Sequence, residues 1–212
     1  MRDLKILVII VAVVGAMYWG VEPYAHHVMH PEVTPPDFAF KDVTAKASGG
    51  DAAKGKELVA AQCISCHSVS KEGLKLAMSD ADAANTYGVV PPDLSNVATM
   101  YDHNYLSGFI QNPEATAKAK AGKYAMPNLG ISAEDASHIV AYLSSIAAKE
   151  LTEKQVTEEA CVRCHSISYA GIKRVGSDAR IKEYMGSVPP DLSQMIKSKG
   201  GHYLEGFIND PQ

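Results

Sequence analysis

The chain opens on an uninterrupted apolar run. Ile6 to Val21 carries no charged residue, Leu4 extends the run backwards, and Tyr18 and Trp19 stand near its far end. A bilayer-spanning helix needs about 20 apolar residues, and aromatic side chains gather where such a helix meets the interface. The pattern predicts a transmembrane anchor over 1–21. A cleaved signal peptide competes, with Val14-Gly15-Ala16 as a poor cleavage site, but the run continues past that site into the aromatics. Either way Arg2 and Lys5 stay inside, and everything after Val21 is exported. Pro23, Pro31, Pro35 and Pro36 then predict an extended linker over 22–50, closed by Gly49-Gly50. From residue 51 the apolar spacing becomes helical. Asp51 is a plausible N-cap, and Leu58 and Val59 share a face of a helix running into Cys63. Asn104 to Ile110 reads as a short helix stopped near Pro113. Ser132 with Asp135 resembles a capping box for a last helix to about Ala148, with Ile139, Tyr142, Leu143 and Ile146 on its apolar face. Residues 149–154 read as a charged hinge. The fold class predicted is all-α.

One pentapeptide occurs twice and changes this picture. Cys63-Ile64-Ser65-Cys66-His67 and Cys161-Val162-Arg163-Cys164-His165 use all four cysteines of the chain. C-x-x-C-H is the attachment pattern of a c-type haem. Two thiols three positions apart can bond covalently to the two vinyl groups of one porphyrin, and the following histidine gives its Nε2 to the iron. Other readings exist. A redox dithiol has no need of the histidine. A four-thiolate zinc site suits knuckles a few tens of residues apart, and a structural disulfide suits an oxidising compartment. The duplication, with no cysteine left over, favours two covalently bound haem c groups held by Cys63, Cys66, Cys161 and Cys164. His67 and His165 are then iron ligands, and the exported side of the membrane is where bacteria attach haem.

Composition agrees with a cofactor-filled core. Aromatics are only 7% of 212 residues, so a domain of under a hundred residues has a thin core of its own, and a porphyrin supplies apolar surface. The net charge of −4 argues against a nucleic-acid partner. A sixth ligand for the first haem is sought on a loop between the last two helices, where Met126 precedes Pro127. A thioether favours ferrous iron and raises the potential. Met100 and Met78 are weaker rivals. His26, His27 and His30 read as an interfacial cluster rather than as ligands.

The second half repeats the first with no net insertion. The motifs are 98 residues apart (161 − 63), as are Pro91 and Pro189, Tyr105 and Tyr203, and Pro113 and Pro211. Gly-Val-Val-Pro-Pro-Asp-Leu-Ser becomes Gly-Ser-Val-Pro-Pro-Asp-Leu-Ser. Two tandem domains are expected, 51–148 and 155–212. The second is incomplete, because the counterparts of Met126 and of the last helix fall beyond Gln212. That favours a longer parent chain. Otherwise Met185, Met195 or His202 serves as the sixth ligand. Lys/Arg and Asp/Glu number two and five from Cys63 to Pro113, but seven and five from Cys161 to Pro211. Lys173, Arg174 and Lys182 are therefore candidates to face an acidic partner.

The motif with a later Met-Pro loop resembles the class I cytochromes c. Val90 to Ser95 with Tyr105 and Gly108, and Val188 to Ser193 with Tyr203 and Gly206, resemble cytochrome c1 of the bc1 complex, and Met126-Pro127 matches that family's axial methionine. Two haem domains behind an N-terminal anchor are similar to the dihaem cytochrome c1 subunits of epsilonproteobacteria. The resemblance implies a single-pass protein of the bacterial inner membrane with its haem domains in the periplasm. It implies electrons taken from a Rieske iron–sulfur protein beside a cytochrome b subunit and passed to a soluble cytochrome c or an oxidase. Haems ligated on both faces leave no substrate site. The dihaem subunit of a cbb3-type oxidase is the runner-up. A dihaem peroxidase, which needs an open iron position, is the enzymatic alternative.

Overall fold

The computed structural model describes residues 1–29, 43–118 and 124–209. The readings at His30, Pro31, Pro35, Pro36, Lys123 and Pro211 lie outside the described residues. The chain divides into two units, Met1–Phe38 with Gln194–Gln212, and Ala39–Ser193. Regular structure among the described residues is helical, and extended pairing is limited to the isolated bridges Val69↔Leu74 and Ile167↔Ile172.

In the first unit, α1 (Arg2–Ala16), a π-turn (Met17–Val21) and α2 (Glu22–Met29) run on as one helix of 28 residues. It is the one described helix long and apolar enough to cross a membrane. This corrects the extended linker predicted over 22–50: its first eight residues are helical. Pro23 has no N–H, and its ring would clash with a carbonyl one turn back. The helix widens just before it, where the Glu22 N–H bonds the Met17 carbonyl five residues away, and so absorbs the proline. Residues 43–50 carry no regular structure and are tied to the second unit, where the Ala47 N–H donates to Asn104 Oδ1 at 3.0 Å. The same unit holds α11 (Met195–Lys199) and α12 (Gly201–Asn209).

The second unit is built on the crossing of α3 (Ala52–Gln62) and α8 (Ala133–Ile146). Asp51 caps α3 by accepting from the Ala53 and Lys54 N–H groups at 2.8 and 3.3 Å. Ser132 caps α8 by accepting from the Asp135 N–H at 3.0 Å. The helices touch backbone to backbone, so a Cβ on Gly55 would lie 2.0 Å from the His138 carbonyl oxygen. The Asp51 N–H donates to His138 Nδ1 at 2.8 Å, tying the start of α3 to the same turn of α8. The predicted face of α8 is the core: Ile139, Tyr142 and Leu143 are buried with Val59, Val97, Leu106 and Ile110, and Ile146 packs at its edge.

Between them lie α4 (Asp80–Tyr87), α5 (Val97–Met100), α6 (His103–Gln111) and α7 (Pro113–Thr116). Pro113 does more than stop α6. It opens α7 at a position where its missing N–H costs nothing. After α8 come α9 (Glu153–Val156), a π-turn (Thr157–Cys161) and α10 (Asp178–Met185). Thr152 and Gln155 form a reciprocal capping box at α9, so the hinge already contains a helix start. α10 and α4 stand 98 residues apart and pack on each other. Arg180 on α10 donates to the last-turn carbonyls of α4, Nε to Asn85 at 2.7 Å and Nη2 to Thr86 at 2.9 Å.

Candidate functional site

Each C-x-x-C-H stretch is the end of a lead helix. The Ile64 N–H bonds the Val59 carbonyl at 3.3 Å, and the Val162 N–H bonds Thr157 at 3.1 Å. These five-residue closures widen the final turn just as the cysteines begin. The His67 N–H then bonds the Cys63 carbonyl at 2.9 Å, and the His165 N–H bonds Cys161 at 2.9 Å. None of the four cysteines is in a disulfide, and no group of three or more His, Cys, Asp or Glu among the described residues could hold a metal ion.

The Pro-Pro-Asp-Leu-Ser turn fixes the histidine. His67 Nδ1 lies 2.8 Å from the Pro92 carbonyl, and His165 Nδ1 lies 2.7 Å from the Pro190 carbonyl. A carbonyl only accepts, so Nδ1 carries the proton and Nε2 keeps its lone pair. Burial lowers the pKa of His67, which keeps the ring neutral and able to ligate.

The rest of the turn is held by the same bonds in both copies. The Leu94 N–H bonds the Ser68 carbonyl, as Leu192 bonds Ser166. Asp93 accepts from the Ser70 N–H at 3.0 Å and the Ser95 N–H at 2.8 Å, and Asp191 accepts from Ser168 at 3.1 Å and Ser193 at 2.8 Å. Neither Asp93 nor Ser95 caps the next helix: Asp93 ties Ser70, and the Ser95 hydroxyl takes the Lys71 N–H. Burial raises the Asp93 carboxyl, but hydrogen bonds from Ser70 and Ser95 outweigh it and leave its pKa low. At Asp191 bonds from Ser168 and Ser193 push the pKa well below the usual carboxylate range.

The first copy opens on a cavity. Cys63, Cys66 and His67 line it together with Met126 and Pro127, so all four residues predicted for the first haem come together. Apolar side chains of α6 and α8 form much of the rest, among them Leu106, Ile110, Ile139 and Leu143. An aromatic row edges it: Tyr101 stacks on Tyr105 and Tyr105 on Phe109, with centroids 6.1 Å apart, and Phe109 meets the Tyr124 edge at 5.8 Å. Tyr87 brings its hydroxyl 3.6 Å from Cys66 Sγ. Burial pushes the Cys63 thiol up to about 11 and the Tyr124 phenol up to about 12. Met100 packs at the margin of the core and, like Met78, is not among the cavity-lining residues.

This donor set fits a haem. A neutral histidine with Nε2 free, two thiols beside it, a thioether on the same cavity and apolar walls match what a covalently held porphyrin requires. Cys63, Cys66, His67 and Met126 would hold it. Cys161, Cys164 and His165 repeat the histidine side of that geometry, and burial raises both thiols there as well. Of the candidates for a sixth ligand there, Met185 is exposed. Sequence reasoning missed Arg163 and Tyr184, which reach this cavity from the second repeat. Nothing in the spacing signals a side chain that serves the other copy. It also counted Arg174 as a docking charge, but that side chain is only 10% exposed and is paired with Asp178.

An all-α domain with a cysteine-flanked histidine and a methionine on one apolar cavity has the construction that a haem-binding domain requires. The family model for cytochrome c matches residues 52–147, from the first turn of α3 to the end of α8. A cytochrome c domain is present there, and domains of that family carry covalently bound haem c. No curated protein and no solved structure matches the chain.

Proposed function

We propose that this chain is a membrane-anchored dihaem c-type cytochrome that moves single electrons. On this reading it is the cytochrome c1-type subunit of a quinol–cytochrome c reductase. It receives electrons from a Rieske iron–sulfur protein held beside cytochrome b, and passes them to a soluble cytochrome c or a terminal oxidase. The observation that carries the dihaem reading is the doubled histidine frame: His67 and His165 each give Nδ1 to a proline carbonyl, 25 residues on. When bound, a haem supplies a one-electron ferric/ferrous couple. The residues do the remainder. Cys63 and Cys66, and Cys161 and Cys164, anchor the groups; His67 and His165 ligate; Met126 closes the first iron to other ligands and favours its ferrous form. The 28-residue helix Arg2–Met29 is long and apolar enough to serve as a membrane anchor; on this reading the anchor is retained in the bacterial inner membrane, with the haem sites on the periplasmic side. The Val-Pro-Pro-Asp-Leu-Ser turns support the c1 assignment.

The test is expression in a host that attaches haem, then purification from membranes. Two haems per chain by alkaline pyridine spectrum, haem staining on a denaturing gel, and co-purifying Rieske protein with haem b are expected. One haem per chain overturns the dihaem reading. A bound copper oxidase points to the cbb3-type subunit and overturns the c1 assignment. A cleaved N-terminus by mass spectrometry overturns the anchor.

A further inference from the structure

The first cavity carries a charge that the first repeat does not supply. Arg163 belongs to the second C-x-x-C-H motif, between Cys161 and Cys164, yet it lines the cavity of Cys63, His67 and Met126. It is held there. Its Nε donates to the Val90 carbonyl at 2.9 Å. Val90 lies two residues before Pro92, whose carbonyl takes the His67 Nδ1 proton. One short irregular stretch, Val90 to Pro92, therefore positions both the imidazole of His67 and the guanidinium. No aspartate or glutamate is among the described residues that line the cavity. The residue that corresponds to Arg163 in the first motif is Ser65, which is exposed and neutral. The asymmetry runs one way: the second copy lends a cation to the first.

We infer that Arg163 is a positioning charge that raises the reduction potential of the first haem above the value its own ligands would set. This rests on the haem-binding reading proposed above. Reduction adds one negative charge at the iron, and a guanidinium fixed in an apolar wall favours the reduced form. A haem brings carboxylates of its own. A guanidinium paired with one acts in the same direction, because it cancels negative charge beside the iron. The electron is thus biased to rest on the first copy, and the attachment loop of the second copy is the element that sets the bias.

The experiment is a spectroscopic redox titration of the full chain, loaded with haem and solubilised in detergent. The variants are Arg163→Gln, Arg163→Ser and Arg163→Lys, with Met126→Leu used to assign which wave is the first haem. At the wild-type midpoint, both neutral variants should lower the reduced-to-oxidised ratio of the first haem about tenfold, a shift of about 59 mV for one electron. The lysine variant should keep most of the wild-type potential. An unmoved first wave in the neutral variants overturns the inference, and so does a lysine variant that falls as far as they do. Haem content, measured on each preparation, separates the two readings. A wild-type chain without haem overturns the functional reading and this inference together. A fully loaded chain with an unmoved first wave overturns this inference alone. Should one neutral variant fail to fold, the other still reads the shift.

Discussion

Replacing Gly55 by alanine should destabilise the protein, against the ordinary preference of helices. In an exposed helix, glycine to alanine gains about 1 kcal/mol. Here the new Cβ would stand 2.0 Å from the His138 carbonyl oxygen, 2.6 Å from its carbon and 2.8 Å from the Tyr142 Cβ. Two of these atoms are backbone, so no rotamer change relieves the clash, and α3 must lift off α8 by about an ångström. That separation disturbs the packing of Val59, Ile139 and Leu143, which are almost fully buried. Overpacking a tight core costs about 1–3 kcal/mol, and a clash with backbone belongs at the upper end. After subtracting the propensity gain, the net loss is about 2 kcal/mol, or roughly 4–8 °C in Tm for a chain of this length. Thermal unfolding followed by circular dichroism on the haem-loaded chain measures it. Gly201→Ala is the control, since a Cβ there meets nothing within 4 Å, and it should change little. A Gly55→Ala protein as stable as wild type refutes the close crossing of α3 and α8.

Met126→Leu keeps the bulk of the side chain but removes the thioether, so the first haem should acquire cyanide binding in difference spectra and its potential should fall. A chain that binds no cyanide places the ligand elsewhere. Asp93 has its carboxyl pKa held below the ordinary value of 3.8 in the folded state. The stabilisation it contributes is therefore present above about pH 4 and disappears as pH falls through the lower folded value. Asp93→Asn should be less stable than wild type at pH 7, with the gap closing in acid; denaturant melts at pH 7 and near pH 2–3 test this, and a gap constant with pH contradicts it. Arg180→Ala loses two bonds to the last turn of α4 and should cost about 1–2 kcal/mol without changing haem content. An unchanged melting midpoint, or a loss of haem, counts against that role.

What was legible in the sequence is what the chain makes over short distances or by plain periodicity. Asp51 and Ser132 cap helices because their side chains reach N–H groups two or three residues on, and that needs no tertiary knowledge. The buried face of α8 follows from its apolar spacing. Three things were not legible. α2 was hidden because Pro23 reads as a breaker, and a single wide turn is enough to absorb it. α4 and α10 were hidden because Asp80-Ala81-Asp82-Ala83-Ala84 and its counterpart lack a wide apolar stripe; α4 buries only two alanines and α10 only Ile181. The reach of Arg163 and Tyr184 into the first cavity depends on how one repeat packs against the other, and no repeat register contains that information.

The two copies separate local from long-range determinants within one molecule. The bonds of the histidine frame repeat almost unchanged, and each spans at most 25 residues. They form around His67, where a buried core surrounds them, and around His165, where the neighbours Tyr169, Val175, Met185 and Val188 are exposed. The frame is therefore written in its own segment and does not need a closed core to set the imidazole. Met126 and the α3–α8 crossing are the opposite kind of feature. They join residues some sixty to ninety positions apart. On the dihaem reading the histidine side of each site is then the robust side, and a difference in potential between the copies would arise mainly from what is brought in from a distance: a thioether, apolar walls and the guanidinium of Arg163.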